Sequence, residues 1–178
     1  PDVGGSAAAD KGGAESSGSA LHSGWDIMLE ATDAMTGMDG LTLYGGLSQI
    51  DQYDNDAGIS GDKDEMTFGV KYAVGGFTLG YQYSVEDTGR ATTNTEYAND
   101  AFGITFAIND DLSIGYNNYQ STRKSTTDVE LEASSVQVAY SSGGLSIRLA
   151  DATIDNQNYT TGAANSRDAT TLSVALAF

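Results

Sequence analysis

Cysteine is absent from this 178-residue chain, and proline and histidine occur once each, as Pro1 and His22. Without cysteine the chain forms no disulfide scaffold and no cysteine-bearing metal site. A lone histidine, with no serine, cysteine or acid at a telling spacing, argues against zinc chemistry and gives no catalytic triad. The sequence therefore predicts a protein that is not an enzyme and that requires no cofactor.

Positive charge is scarce as well. The chain has 8 lysines and arginines against 25 acidic residues, which gives a formal net charge of −17. Nucleic-acid phosphates would be repelled by such a chain, so we expect no nucleic-acid partner. By itself, the charge is most simply interpreted as that of an acidic soluble or surface protein.

Long apolar runs are missing too. No stretch approaches the roughly 20 apolar residues that a membrane-spanning helix needs. This does not exclude the membrane, because barrel strands carry apolar residues only at every second position and hydropathy windows average them away. The first residues lack the basic start and apolar stretch of a secretory leader. Residues 1–20, rich in glycine, alanine and serine, are predicted as a loop or a disordered segment.

What the chain has instead is apolar alternation. In the last candidate strand Leu172, Val174, Leu176 and Phe178 share one face, and small or polar residues share the other. A strand shows its two faces with a period of two. An apolar face opposite a small, polar one fits lipid on one side and a wet lumen on the other. The same pattern recurs back to Trp25.

Nine segments show this alternation and are predicted as strands. They are residues 25–31, 41–48, 66–74, 77–85, 101–108, 112–118, 135–140, 145–150 and 170–178. Gly75-Gly76, Gly143-Gly144 and the Asn-Asp-Asp run at 109–111 separate neighbouring segments. Such residues tolerate the positive φ values that hairpin turns need, so the sequence predicts an all-β, antiparallel sheet.

The predicted connections alternate in length. Short ones lie near residues 35–40, 75–76, 109–111 and 142–144, and long polar ones near 51–64, 86–99, 121–131 and 153–168. Outer-membrane barrels have short periplasmic turns and long exterior loops, so residues 21–178 are predicted as transmembrane barrel strands. The last predicted strand follows a long exterior loop and so ends on the side of the short turns. Because the number of strands is odd, the first strand then begins on the exterior side, which places residues 1–20 there. Because bacterial barrels normally have an even number, the count indicates the C-terminal part of a longer barrel.

Three segments carry a family resemblance: Gly75–Ser84, Phe102–Tyr116 and Leu172–Phe178. They resemble the Gram-negative general diffusion porins, especially the alphaproteobacterial, Rhodobacter-like branch. The resemblance implies a 16-stranded barrel in the cell outer membrane, surrounded by outer-membrane lipid and assembled as a homotrimer. The remaining N-terminal strands of the same barrel would then pair with these nine, and the constriction loop would lie outside this chain. The segment ending in Phe178 resembles the signal that the barrel-assembly machinery reads.

The alternation and the resemblance favour a water-filled channel for passive diffusion of small hydrophilic solutes and ions. Two alternatives stay open. One is a small outer-membrane structural or adhesion barrel with a plugged interior. The other is a secreted calcium-binding β-protein.

Polar side chains that alternate with the apolar ones are the candidates for a pore wall. They are Glu30, Lys71, Gln82, Asn117, Gln137 and Arg148. A lysine or arginine that faced lipid at mid-bilayer would cost roughly 2–4 kcal/mol, so these side chains are expected to point inward. They could line a pore and tune its electric field, or they could only fill and solvate the interior.

The acidic segment 54–65 has part of the spacing of a calcium-binding loop. Asp54, Asp56, Asp62 and Glu65 fall at positions 1, 3, 9 and 12 of such a loop. An EF-hand is excluded, because Ile59 replaces the required glycine and no helices flank the segment. A looser calcium site in an exterior loop is predicted as one possibility, beside an ordinary solvated loop.

Overall fold

The computed structural model describes residues 23–52 and 58–177, which form one nine-stranded antiparallel sheet. Each strand pairs with the strands before and after it in sequence, in the order β1 to β9. The strands are β1 Gly24–Ala31, β2 Leu41–Ile50, β3 Lys63–Val74, β4 Phe77–Asp87, β5 Glu96–Ala107, β6 Leu112–Lys124, β7 Val129–Ser142, β8 Leu145–Asp155 and β9 Arg167–Leu176. The predicted fold class is confirmed, while the predicted loop at 1–20 lies outside the described residues.

Helical structure is confined to short pieces in the connections. The helix α1 spans Asp33–Thr36, and two 3₁₀ turns span Gln157–Tyr159 and Ala163–Asn165. Left-handed Gly37 (φ 70°) ends α1, as is common at helix C-termini. In residues 23–52 and 58–177 no helix is both long enough and apolar enough to cross a membrane.

The two ends of the sheet carry different connections. We call the end with connections 32–40, 75–76, 108–111 and 143–144 the turn rim, and the end with connections 51–62, 88–95, 125–128 and 156–166 the loop rim. Most strands run further toward the loop rim than the alternation predicted. The predicted loop at 121–131 was therefore wrong in length, since only 125–128 are unpaired. At the end of β6 both faces are polar, so the alternation fades there while backbone pairing continues, as between Glu96 and Lys124.

The connections at the loop rim are bonded to one another. Ile59 and Arg90 form an isolated β-bridge between the β2–β3 and β4–β5 connections. The Thr95 N–H donates to the Lys124 carbonyl oxygen (2.9 Å), which joins the β4–β5 connection to the end of β6. Backbone pairing therefore continues beyond the strands and ties part of this rim together.

The register assigns each side chain to one of two faces. Side chains of paired residues lie on the same face, since the partners are directly opposite each other. The apolar face carries Ile27, Leu43, Val70, Leu79, Ile104, Ile114, Val138, Ile147 and Val174. We call the opposite side the polar face. The alternation predicted from the sequence thus extends across all nine strands.

The apolar face is not equally tall along the sheet. On β3 apolar residues continue from the turn rim up to Met66, but on β8 they stop at Leu149. Asp151 follows on the same face, and it accepts a hydrogen bond from the Thr170 hydroxyl (2.7 Å). The apolar band therefore spans most of the height of β3 but only the turn-rim half of β8.

The sheet is a single layer with almost no interior. Among the described residues Ile50 is the only buried hydrophobic residue, at 5 % exposure, whereas Leu29 and Leu176 are 72 % and 68 % exposed. A soluble sheet normally covers its apolar face with a second layer of structure. Here the apolar face is bare from β1 to β9, which suits contact with an apolar medium or partner.

The β7–β8 turn offers a test of this geometry. Gly143 and Gly144 both have positive φ (56° and 85°), but only at Gly144 would an added Cβ meet another group, the Ala177 carbonyl oxygen at 2.6 Å. We expect Gly144→Ala to destabilise the protein more than Gly143→Ala, because the strain of a left-handed alanine is common to both. Urea unfolding of the folded protein in detergent measures this difference. Equal shifts of the two midpoints would contradict the packing of the turn against Ala177.

Candidate functional site: the polar face of the sheet

All six side chains predicted to face inward lie on the polar face. Glu30 is on β1, Lys71 on β3, Gln82 on β4, Asn117 on β6, Gln137 on β7 and Arg148 on β8. The register connects Lys71 through Gly80 and Gly103 to Asn117, so these two lie in one row across four strands. The structure therefore distributes the six residues over the face rather than bringing them into one cluster.

Small residues leave open space beside Lys71. Gly80 and Gly103 follow it in the row, and a Cβ at either glycine would have no neighbour closer than 3.9 Å. Further along the row are Asn117 and Ser135, whose hydroxyl donates to the Asn117 amide oxygen. A long cationic side chain thus projects from a wall of glycines and short polar groups.

Tyr44 is a polar-face residue that the sequence reasoning missed. Its hydroxyl donates to the Gln82 amide oxygen (2.8 Å), two strands away. The ring lies across Gly69 on β3, where an added Cβ would overlap the ring atoms. A signal was present in the sequence, because Tyr44 alternates with Leu41 and Leu43 and so belongs to the opposite face.

Charge is unevenly distributed over the polar face. The strands β1 to β4 carry Asp26, Glu30, Glu65 and Glu86 together with Lys63 and Lys71, whereas the charged polar-face residues on the described strands β5 to β9 are Arg123, Arg148 and Arg167. Lys63 Nζ lies 2.8 Å from Glu65 and 3.2 Å from Glu86. On the described strands the acidic side chains of the polar face are therefore confined to β1 to β4, whereas basic side chains lie on both halves of the wall.

A groove of about 420 Å³ lies over the acidic part of this face. Its polar lining includes Asp26, Ser48, Glu65, Gln82, Glu86 and Asn99. The Ser48 hydroxyl donates to Glu65 (3.2 Å), and the Asn99 amide donates to the Ser84 hydroxyl (3.3 Å). The groove offers hydrogen-bonding groups and negative charge to a polar solute.

The predicted calcium ligands are only partly described. Asp54 and Asp56 lie outside the described residues. Asp62 accepts the Gln52 backbone N–H (3.1 Å), and Glu65 is paired with Lys63. Among the described residues no group of three or more histidines or acids is arranged to hold a metal ion. The calcium site stays a prediction.

Comparison with known proteins identifies the fold but not the family. No protein-family model matches the chain, and no curated protein matches it. Among solved structures it is similar to Salmonella typhi OmpF, a general porin described in complex with daunomycin, with a TM-score of 0.59 and 16 % identity. The match covers 86 % of this chain and 50 % of the OmpF chain. The chain thus has the fold of part of a porin barrel and spans about half the length of this neighbour.

This likeness bears on some of the predictions and leaves others untested. It confirms the porin-like β-barrel fold that the resemblance implied, and OmpF is a channel and not an enzyme. At this level of identity it carries no substrate, oligomeric state or branch of the family. The alphaproteobacterial affiliation and the homotrimer therefore remain predictions.

The contact between Tyr44 and Gly69 can be tested with a matched glycine. We expect Gly69→Ala to lower stability more than Gly80→Ala, because only the former displaces the Tyr44 ring and its bond to Gln82. In the Tyr44→Ala background the extra cost of Gly69→Ala should disappear. Urea unfolding of the unmodified protein, Gly69→Ala, Tyr44→Ala and the double variant gives the double-mutant cycle. A Gly69→Ala penalty that persisted without the tyrosine would show that the ring is not the cause.

Proposed function

We propose that this chain forms part of the wall of an outer-membrane porin, a water-filled channel for passive diffusion of small hydrophilic solutes and ions. The observation that carries the proposal is the single-layer sheet, with one bare apolar face and one face of glycines, short polar groups and charges. Lipid on the first face and water on the second would satisfy both. The six predicted residues, Glu30, Lys71, Gln82, Asn117, Gln137 and Arg148, would then line the channel.

The sheet also bears on the two alternatives. A secreted, soluble β-protein is disfavoured, because such a protein would bury its apolar face against a second layer. A barrel with a plugged interior needs groups that fill the polar face, and beside Lys71 that face is open at Gly80 and Gly103. The plugged barrel differs from the porin in one measurable property, which is the absence of ion conductance.

Because this chain has no cysteine, a thiol introduced into it reports on one chosen position once any cysteine in the remaining strands has been replaced. Gln137 and Val138 are neighbours on β7 that face opposite sides of the sheet. In the complete protein in lipid vesicles, a charged, membrane-impermeant thiol reagent should modify Gln137→Cys readily, while acyl chains protect Val138→Cys. Unfolding in urea should make both thiols react alike, which controls for intrinsic reactivity.

The same variants connect sidedness to transport. In planar bilayers the protein should give ohmic conductance steps, and modification of Gln137→Cys should reduce their height. Equal labelling of the two thiols in vesicles would overturn the assignment of faces. Correct labelling without any conductance would favour the plugged barrel.

The edges of the sheet imply further strands. In the described residues β1 and β9 each pair with one strand only, and each leaves a row of backbone groups without a partner. In hydrocarbon every backbone N–H and C=O needs a partner, so an open edge is not tolerated there. We propose that the remaining N-terminal strands of the same barrel pair with both edges, in line with the half-length match to OmpF.

Hydrogen exchange on the complete protein in membranes tests this pairing. The amides of β1 and β9 should exchange as slowly as those of β5, which has partners on both sides. Fast exchange at alternate amides of β1 or β9 would contradict the proposal, because those amides would then be open to solvent. A homotrimer, contact with outer-membrane lipid and recognition of Phe178 by the barrel-assembly machinery are further expectations of the porin proposal.

A further inference from the structure

The connection between β8 and β9 folds back over the polar face. We call residues 156–166 the strap. The Asn156 side-chain amide donates to the Glu130 carbonyl oxygen on β7 (2.8 Å), and the following 3₁₀ turn ends at Tyr159. Tyr159 contacts Ser121 and Arg123 on β6. Neighbouring strands are about 4.8 Å apart, so the strap reaches roughly 10 Å or more from its own strand across the wall.

Tyr159 is held by four separate contacts. Its hydroxyl lies 2.7 Å from the Ser121 hydroxyl, and its carbonyl oxygen accepts a hydrogen bond from Arg123 Nη2 (3.1 Å). The Arg123 guanidinium lies 5.2 Å from the centre of the ring, a cation–π distance. The Tyr97 ring on β5 packs against it with a centroid separation of 5.3 Å. Together these contacts fix both the backbone and the side chain of Tyr159.

The hydrogen bonds beneath Tyr159 form a directed chain. Ser121 is fully buried, at 0 % exposure, and its hydroxyl donates to the Asn99 amide oxygen. A hydroxyl has one proton, so the Tyr159 hydroxyl is the donor to Ser121. A tyrosine phenol is protonated at neutral pH, and burial raises the pKa of the Tyr159 phenol further above its ordinary value. Tyr119 also donates to Asn99 (2.7 Å), which closes the cluster.

Three residues of the strap have left-handed backbone conformations. Asn156, Asn158 and Tyr159 have φ values of 54°, 57° and 53°. The left-handed region is tolerated by asparagine but is rare for a tyrosine. Such conformations persist when surrounding contacts over-determine them, and they cluster at functional positions. The turn is therefore maintained by the docking of Tyr159.

We infer that the strap is a second constriction of the channel, at the loop rim and separate from the constriction loop that the resemblance places outside this chain, that Tyr159 is its positioning residue, and that it limits the size of the solutes that pass. This inference rests on the proposed porin function. The strap narrows the passage because it occupies the space over β6 and β7 that the polar face otherwise leaves to water. Arg123, fixed beneath the Tyr159 ring, keeps a positive charge on the wall at that level.

The position of the strap can be measured independently of transport. In the complete protein in lipid vesicles, the Ser121→Cys thiol should be shielded from a charged thiol reagent by Tyr159. Adding Tyr159→Ala should speed its modification roughly tenfold or more, the factor expected from losing a buried hydrogen bond with its packing. Tyr140→Ala, which truncates a tyrosine on the apolar face, should leave the rate unchanged. An unchanged rate in Tyr159→Ala would overturn the docking.

Transport then tests the constriction itself. Tyr159→Ala should raise single-channel conductance and admit oligosaccharides that the unmodified channel excludes in liposome swelling, whereas Tyr140→Ala should change neither. Tyr159→Phe keeps the ring but loses the hydroxyl, so its conductance and exclusion limit should lie between those of the unmodified protein and of Tyr159→Ala. A conducting channel with the same exclusion limit after the strap is released would overturn the inference and leave the porin function intact. A protein that conducts no ions would instead overturn the porin function.

Discussion

The unbroken antiparallel pairing of nine strands is the constraint on which the rest of the structure depends. A single-layer sheet buries very few side chains, so the backbone hydrogen bonds between strands hold it together in place of a core. The side-chain period is two, and one register therefore assigns every side chain to a face. A shift by one residue between Leu47 and Met66, which are partners in β2 and β3, would exchange the apolar and polar faces of one strand relative to the other.

The open space above the polar face depends on this register, because the register places glycines next to one another. Gly80 and Gly103 are brought into one row beside Lys71 by pairing alone, and no contact between side chains is needed to keep the row open. Two tyrosine side chains lie on other parts of the face, each over a residue with a small side chain or none. Tyr44 lies over Gly69, and Tyr159 arrives from a connection and docks over Ser121. The wall is thus open along the row beside Lys71, on the side of the turn rim, and covered by Tyr159 nearer the loop rim.

Agreement between sequence and structure varies with position along the strands. The β3–β4 hairpin was predicted closely, because an apolar face opposite a polar one and the Gly75-Gly76 turn give two independent signals. The segment 119–134 was predicted poorly, since residues 119–124 are polar on both faces and, in β7, Val129 and Leu131 alternate with glutamates on the face opposite to that of Val136 and Val138. Strand pairing continues nevertheless, because the ladder needs backbone groups and not a particular side chain.

The sequence by itself determined the fold class, the number of strands, the turn rim and the face of each of the six predicted polar residues. All of these depend on local alternation, which is a property of neighbouring residues along the chain. Only the tertiary structure decided that Lys71 and Asn117 share a row, that Tyr44 crosses Gly69, and that Tyr159 returns to Ser121 and Arg123. These contacts join residues on different strands, so they are set by the register between strands and by the path of a connection, neither of which a single strand encodes.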